Sequence, residues 1–87
     1  MEKIIKVSAT SPVPSLSGSI IKSVEEGKDV VLRAMGASAV NQMYKGITAA
    51  RGILATKGKD LYIRPGFQEV KDNETCKTIM VASIIIK

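Results

Sequence analysis

Between Arg33 and Lys59 the chain carries five cations, Arg33, Lys45, Arg51, Lys57 and Lys59, and no carboxylate. An anionic partner would select such a stretch; the other reading is a solvated helix face whose acids lie elsewhere. A hydroxyl-rich segment, Ser8-Ala-Thr-Ser-Pro-Val-Pro-Ser15, precedes it. If the partner is a nucleic acid, Lys45 and Arg51 supply charge. Ser8, Thr10, Ser11, Ser38 and Asn41 supply hydrogen bonds, and Tyr44 offers a stacking surface.

Enzyme chemistry has little to work with, and neither a catalytic residue nor a cofactor is expected. The absence of His removes the imidazole base, the Ser-His and Cys-His pairs and the HExxH zinc helix. Gly36-Ala-Ser-Ala39 is neither a GxGxxG fingerprint nor a phosphate-binding P-loop. Cys76 falls in a strand and reads as a small buried thiol. Met35, Met43 and Met80 fall on apolar faces and read as core filler. The carboxylates sit at element ends and turns, as solubilising surface.

The elements that position these residues follow from periodicity. Lys3 to Ser8 is β-branched and reads as a strand. Leu16, Ile20 and Val24 recur at helical spacing, with either Ser15, or Ser11 followed by Pro12, as the cap, and Gly27 as the stop. Glu25 and Glu26 oppose that helix's dipole without evident reason. Asp29 to Met35 has the near-continuous apolar order of a strand buried on both faces. From Ser38 to Thr56 a helical wheel puts Ala39, Met43, Gly46, Ile47, Ala50, Ile53 and Leu54 inward. Gly46 and Ala50 would let this helix lie close to a sheet. Asn41, Lys45, Thr48 and Gly52 point outward, with Tyr44 and Arg51 on one flank, and Gly58 ends the helix. Leu61 to Val70 alternates but contains Pro65-Gly66, so it is an edge strand or a bulged one. Lys71 to Glu74 is a polar turn, and Thr75 to Ile86 is the strongest strand of all.

The order is therefore β-α-β-α-β-β. Two successive βα units put parallel strands side by side through a right-handed crossover. Both helix amino ends then emerge at one sheet edge, near the hydroxyl-rich loop, with unpaired amides that attract anions or with simple caps. Lys45 has no acid at i±3 or i±4, nor does Arg51, although Glu69 or Glu74 could reach Arg51 from the sheet.

Composition sets the outer bounds. Eighty-seven residues make one domain, 1–87. With 45% hydrophobic but only 3% aromatic residues, the core must be aliphatic. The net charge of +5 suits nucleic acid or an acidic surface. One Cys and no His exclude a disulfide framework within the chain and fit a reducing cytoplasm. No apolar run is long enough to span a membrane.

Lys6-Val-Ser-Ala9, Ser11-Pro12, Gly36-Ala37 with Ala39, Asn41-Gln42, Lys45 and Ala50-Arg-Gly52 together resemble the stage V sporulation protein S family. Gly58, Asp60-Leu61, Pro65 and Phe67 extend the likeness over nearly the whole chain. The family is similar to the Alba nucleic-acid-binding fold. The resemblance implies an α+β domain, a four-stranded mixed sheet with two helices on one face. It also implies a homodimer, as Alba proteins usually are, and gives Gly52 a use at the contact. The implied function is a cytoplasmic bacterial regulator of spore development that binds DNA or RNA. The alternative is a dimeric module that docks a protein of sporulation or division. Thr10 stands where many members carry Lys, and the turn Lys71 to Glu74 is short and mixed in charge.

Overall fold

The structure, a computed structural model, describes residues 1–87, with Asp72 described by its backbone alone. Its elements are β1 (Glu2–Val7), α1 (Val13–Glu25), β2 (Asp29–Met35), α2 (Ala37–Ala55), β3 (Leu61–Asp72) and β4 (Thr75–Ile86). The strands form one sheet in the order β1-β2-β4-β3. β1 and β2 run parallel, and β4 is antiparallel to both of its neighbours. Both helices cover one face, so the expected α+β architecture is present.

Local chemistry explains where the helices stop. Gly27 and Gly58 take φ of 74° and 76°. After each, two backbone bonds close the same motif: Lys28 N–H to Ser23 C=O with Gly27 N–H to Val24 C=O, and Lys59 N–H to Leu54 C=O with Gly58 N–H to Ala55 C=O. A left-handed residue lets the last carbonyls find donors, and glycine adopts it without a Cβ penalty. The start of α1 differs from expectation, because neither serine caps it. Pro12 is the N-cap and Pro14 lies in the first turn. The Ser11 hydroxyl instead accepts the Ser8 amide at 2.8 Å. Glu25 and Glu26 now have a reason: they pair with Lys57 at 3.3 Å and Lys28 at 3.1 Å. Such surface pairs each contribute about 0–1 kcal/mol.

The core lies between the helices and the sheet. Leu16 and Ile20 of α1 and Ala39, Met43, Ile47, Ala50 and Leu54 of α2 meet Val7, Val30, Leu32, Ala34, Leu61 and Ala82. All are aliphatic, as the composition demanded. Ile53 is not among them, and is 46% exposed at the border of the buried stripe. Met43 is buried, but Met35 and Met80 are exposed, so two of the three methionines are not core filler. Gly46 does permit a close approach, though to α1 and not to the sheet. A Cβ at position 46 would lie 2.8 Å from Leu16 Cβ.

Only one face of β2 is covered. Val30, Leu32 and Ala34 are buried, whereas Val31 and Arg33 are half-buried and Met35 is exposed. The continuous apolar run therefore did not mean burial on both faces within one chain. β3 is an edge strand with unbroken register from Leu61–Ile86 to Asp72–Thr75, so Pro65 causes no bulge. Its missing N–H is harmless on the free side.

β2 stops pairing with β4 at Met35–Ile79. Beyond that row β3 and β4 pair only with each other, from Glu69–Thr78 to Asp72–Thr75. The turn is short, with Asn73 at φ 55°, but twelve-residue strands carry it outward as an arm. The longest dimension of the molecule is 47 Å in consequence. Cys76 lies on this arm and is exposed, contrary to the buried thiol expected. In a two-stranded ribbon neither face has a layer to hide a side chain.

Candidate nucleic-acid interface

The parallel β1–β2 pair delivers the chain to two loops at one edge of the sheet, with Val7 beside Ala34. Gln42 of α2 ties the first loop to that helix: its Nε2 donates to the Ser11 carbonyl at 2.8 Å. Gln42 was missing from the residues singled out for binding. Its position next to Asn41, on the flank of α2 that faces the first loop, was the available signal.

Within the first loop the hydroxyls turn toward one another. Ser8 Oγ lies 3.2 Å from Thr10 Oγ1 and 3.1 Å from Ser11 Oγ, and accepts the Thr10 amide at 3.3 Å. All three residues remain solvent-accessible, but their first hydrogen bonds are local. The two helix amino ends are also unequal. Proline at positions 12 and 14 removes N–H donors from the start of α1. α2 begins at Gly36, φ 92°, with no side-chain cap and no acid in its first turn. The amides of Ala37, Ser38 and Ala39 belong to that turn and have no acceptor within the helix. Unpaired helix amides without a nearby acid thus concentrate at the start of α2.

Ser38, Asn41, Tyr44 and Lys45 follow on the exposed side of the first turns of α2. Tyr44 is 64% exposed, enough to offer a ring face. Among the described residues Lys45 joins none of the ion pairs, which are Lys28–Glu26, Arg51–Asp60 and Lys57–Glu25. The site is open surface and not a pocket, and among the described residues no group of His, Cys, Asp or Glu could hold a metal ion.

Arg51 stands apart from this cluster. Its Nε is 3.9 Å from Asp60 Oδ1, and neither Glu69 nor Glu74 is the partner. The Tyr62 hydroxyl donates to the other oxygen of Asp60 at 2.9 Å, and Lys87 Nζ lies 5.9 Å from the Tyr62 ring centre. Asp60 was not singled out because it lies nine residues beyond Arg51, outside helical spacing and past the end of α2; only the turn from α2 into β3 brings the two together. The hydrogen bond to Asp60, then the Asp60 charge, raise the pKa of Tyr62 above the ordinary tyrosine value. The neutral phenol's contribution is present below the ordinary value and is lost as pH rises through the raised one. Asp60→Asn should move the Tyr62 titration to lower pH, read by phenolate absorbance in a Tyr44→Phe background. An unmoved titration would mean that Asp60 does not hold the phenol in solution.

The β-α-β-α-β-β order, with two helices on one face of a four-stranded mixed sheet, is an Alba-like fold. Alba from Thermoplasma volcanium superposes with a TM-score of 0.65 over 98% of this chain and 99% of that one, at 11% identity. The profile of the Stage V sporulation protein S (SpoVS) family matches residues 3–87. The chain belongs to that family. Among the described residues no helix is long and apolar enough to cross a membrane.

Proposed function

We propose that this single-domain chain is a non-enzymatic, cytoplasmic, nucleic-acid-binding regulator acting in sporulation, contacting phosphates through the start of α2. The observation that carries the reading is Lys45, a cation without a counter-ion among the described residues, on an acid-free surface beside uncapped helix amides. Phosphate satisfies both features at once, since its oxygens accept from the amides and its charge neutralises the lysine. Asn41 and Ser38 add hydrogen bonds, and Tyr44 adds a face for a base. Arg51 is a secondary contact, partly occupied by Asp60. Titration of the protein with duplex DNA and with single-stranded RNA at two salt concentrations tests the reading. Binding that weakens steeply with salt is expected. No binding to either polymer at low salt would set it aside.

Thr10→Lys should strengthen that binding. Thr10 is exposed in the loop that Gln42 holds against α2. One added phosphate contact should steepen the dependence of log K on log salt by up to about 0.9 for duplex DNA. Unchanged affinity and slope would place the loop away from the ligand.

The same chain is proposed to act as a homodimer through the outer side of α2. Gly52 lies on that side with open space around it, next to the exposed Ile53. A missing side chain there lets a second helix approach closely. Gly52→Leu should break the α2 contact, so that sedimentation shows a smaller assembly than wild type, and leave the circular dichroism unchanged. A wild-type chain that is monomeric at high micromolar concentration would sink the dimer. If it dimerises but binds no nucleic acid, the module that docks a protein becomes the better reading.

A further inference from the structure

The face of the sheet turned away from the helices carries an antisymmetric charge pattern. On β1 the outward residues are Glu2, Ile4 and Lys6; on β2 they are Asp29, Val31 and Arg33. The register sets Glu2 beside Asp29, Ile4 beside Val31 and Lys6 beside Arg33. Both strands thus read acid, aliphatic, base in aligned rows. β4 puts Ser83 beside Val31, and adds the aliphatic residues Val81 beside Arg33 and Ile79 beside Met35. On the edge strand Gly66 leaves a bare position beside Val81.

Three further observations show that this face lacks a cover. β2 has the apolar order of a strand buried on both sides, yet Ile4 and Met35 are 47% and 49% exposed. Lys6, Arg33, Met35 and Ile79 line a cavity of about 300 Å³ on it. Arg33 makes one hydrogen bond, Nη2 to Gln68 Oε1 at 3.1 Å, while its Nε is buried without an acceptor. A half-buried guanidinium with donors to spare is suited to a carboxylate.

We propose that the sheet face is a self-association surface and that its occupant is a second copy of this chain. Let a two-fold axis lie between two such sheets, along the Ile4–Val31 row. The strands of the copies then run oppositely, and each row meets its mirror position. Glu2 falls opposite Lys6 of the other copy and Asp29 opposite Arg33, while Ile4 and Val31 meet themselves. Every charge on the open face of β1 and β2 is matched, and the aliphatic residues of β2 and β4 on that face are covered as in a two-sheet sandwich. An axis along the strands would instead set acid on acid and base on base, so the charge pattern selects one of the two arrangements. Arg64, on the rim of β3, would meet its own copy, and stays hydrated at that edge because twisted sheets diverge away from the axis.

This contact is distinct from the α2 contact proposed above, since helices and open face lie on opposite sides of the sheet. The test is therefore made in the Gly52→Leu background and does not depend on that dimer. Sedimentation velocity of Gly52→Leu should show a dimer that weakens with salt. Adding either Asp29→Arg or Arg33→Asp should raise its dissociation constant about tenfold or more, and adding both should restore it to within about threefold, because each pair is reformed with its charges exchanged. Ile4→Lys, at an exposed position, should abolish the contact by setting like charges on the axis, and guards against misfolding of the β2 variants. If the single changes leave association unaltered, or the double change does not rescue it with the fold intact, the proposal fails. It fails equally if Arg33→Asp alters only nucleic-acid binding, which would make the face a phosphate surface.

Discussion

Lys45→Ala is expected to weaken binding to every nucleic-acid sequence alike and to reduce the salt slope by about 0.9 for duplex DNA, or about 0.7 for a single strand. The reasoning is electrostatic. Lys45 is exposed, and among the described residues no carboxylate lies within ion-pair distance of it. Its charge therefore costs nothing to redirect to phosphate, and the counterions so released set the slope. Arg51 supplies the contrast. Asp60 already lies 3.9 Å from it, with the two side chains 62% and 49% exposed. A pair that open is worth about 0–1 kcal/mol, so Arg51→Ala should barely change the melting temperature. It should also reduce the slope by less than Lys45→Ala, since Asp60 competes with phosphate for it. Salt-dependent fluorescence anisotropy on both variants checks the ordering. Equal slopes for Lys45→Ala and wild type, with the fold intact, would direct attention to a protein partner.

Gly46→Val is expected to be the most damaging single change on α2. The Cβ alone would come within 2.8 Å of Leu16 Cβ and 3.3 Å of Leu16 Cδ1. The leucine can turn its Cδ1 away, but its Cβ is fixed to the backbone of α1, so rotation cannot relieve that contact and the helices must part. Overpacking of this kind costs about 1–3 kcal/mol. A domain of this size has only about 5–15 kcal/mol of stability, and loses about 4–8 °C in Tm per kcal/mol. Thermal melting by circular dichroism should therefore show a drop of roughly 5–20 °C. Gly52→Leu, six residues along the same helix in open space, should show none. A Gly46→Val melt that matches wild type would mean that α1 and α2 are not in such close contact.

The two glycines illustrate where sequence reasoning stops. A helical wheel sorts Gly46 inward and Gly52 outward, because side-chain direction depends only on the 3.6-residue period. It cannot say what the inward face meets. Gly46 was expected against the sheet, and it meets α1. The same limit explains Ile53: it lies at the border of the buried stripe, where burial depends on how far the neighbouring elements reach around the helix. Cys76 and Met80 alternate correctly for a strand, but the strand outruns the helices that would have covered them.

The sequence by itself determined what is local. Apolar period, the stops at Gly27 and Gly58, the choice of an edge or a bulge for the strand with Pro65, and the aliphatic core all follow from backbone sterics and composition. The absence of acids around α2 was equally legible, since charge is a property of the chain. Tertiary structure decided everything that depends on residues distant in sequence. It set Gln42 on the Ser11 carbonyl, and gave Arg51 its partner Asp60 instead of Glu69 or Glu74. It turned the loop hydroxyls on one another, and extended a short turn into an arm through the length of two paired strands. It also left one side of β2 without a cover that its sequence had called for. These outcomes depend on which surfaces meet in three dimensions, and a periodic pattern states that a surface must be buried without naming what buries it.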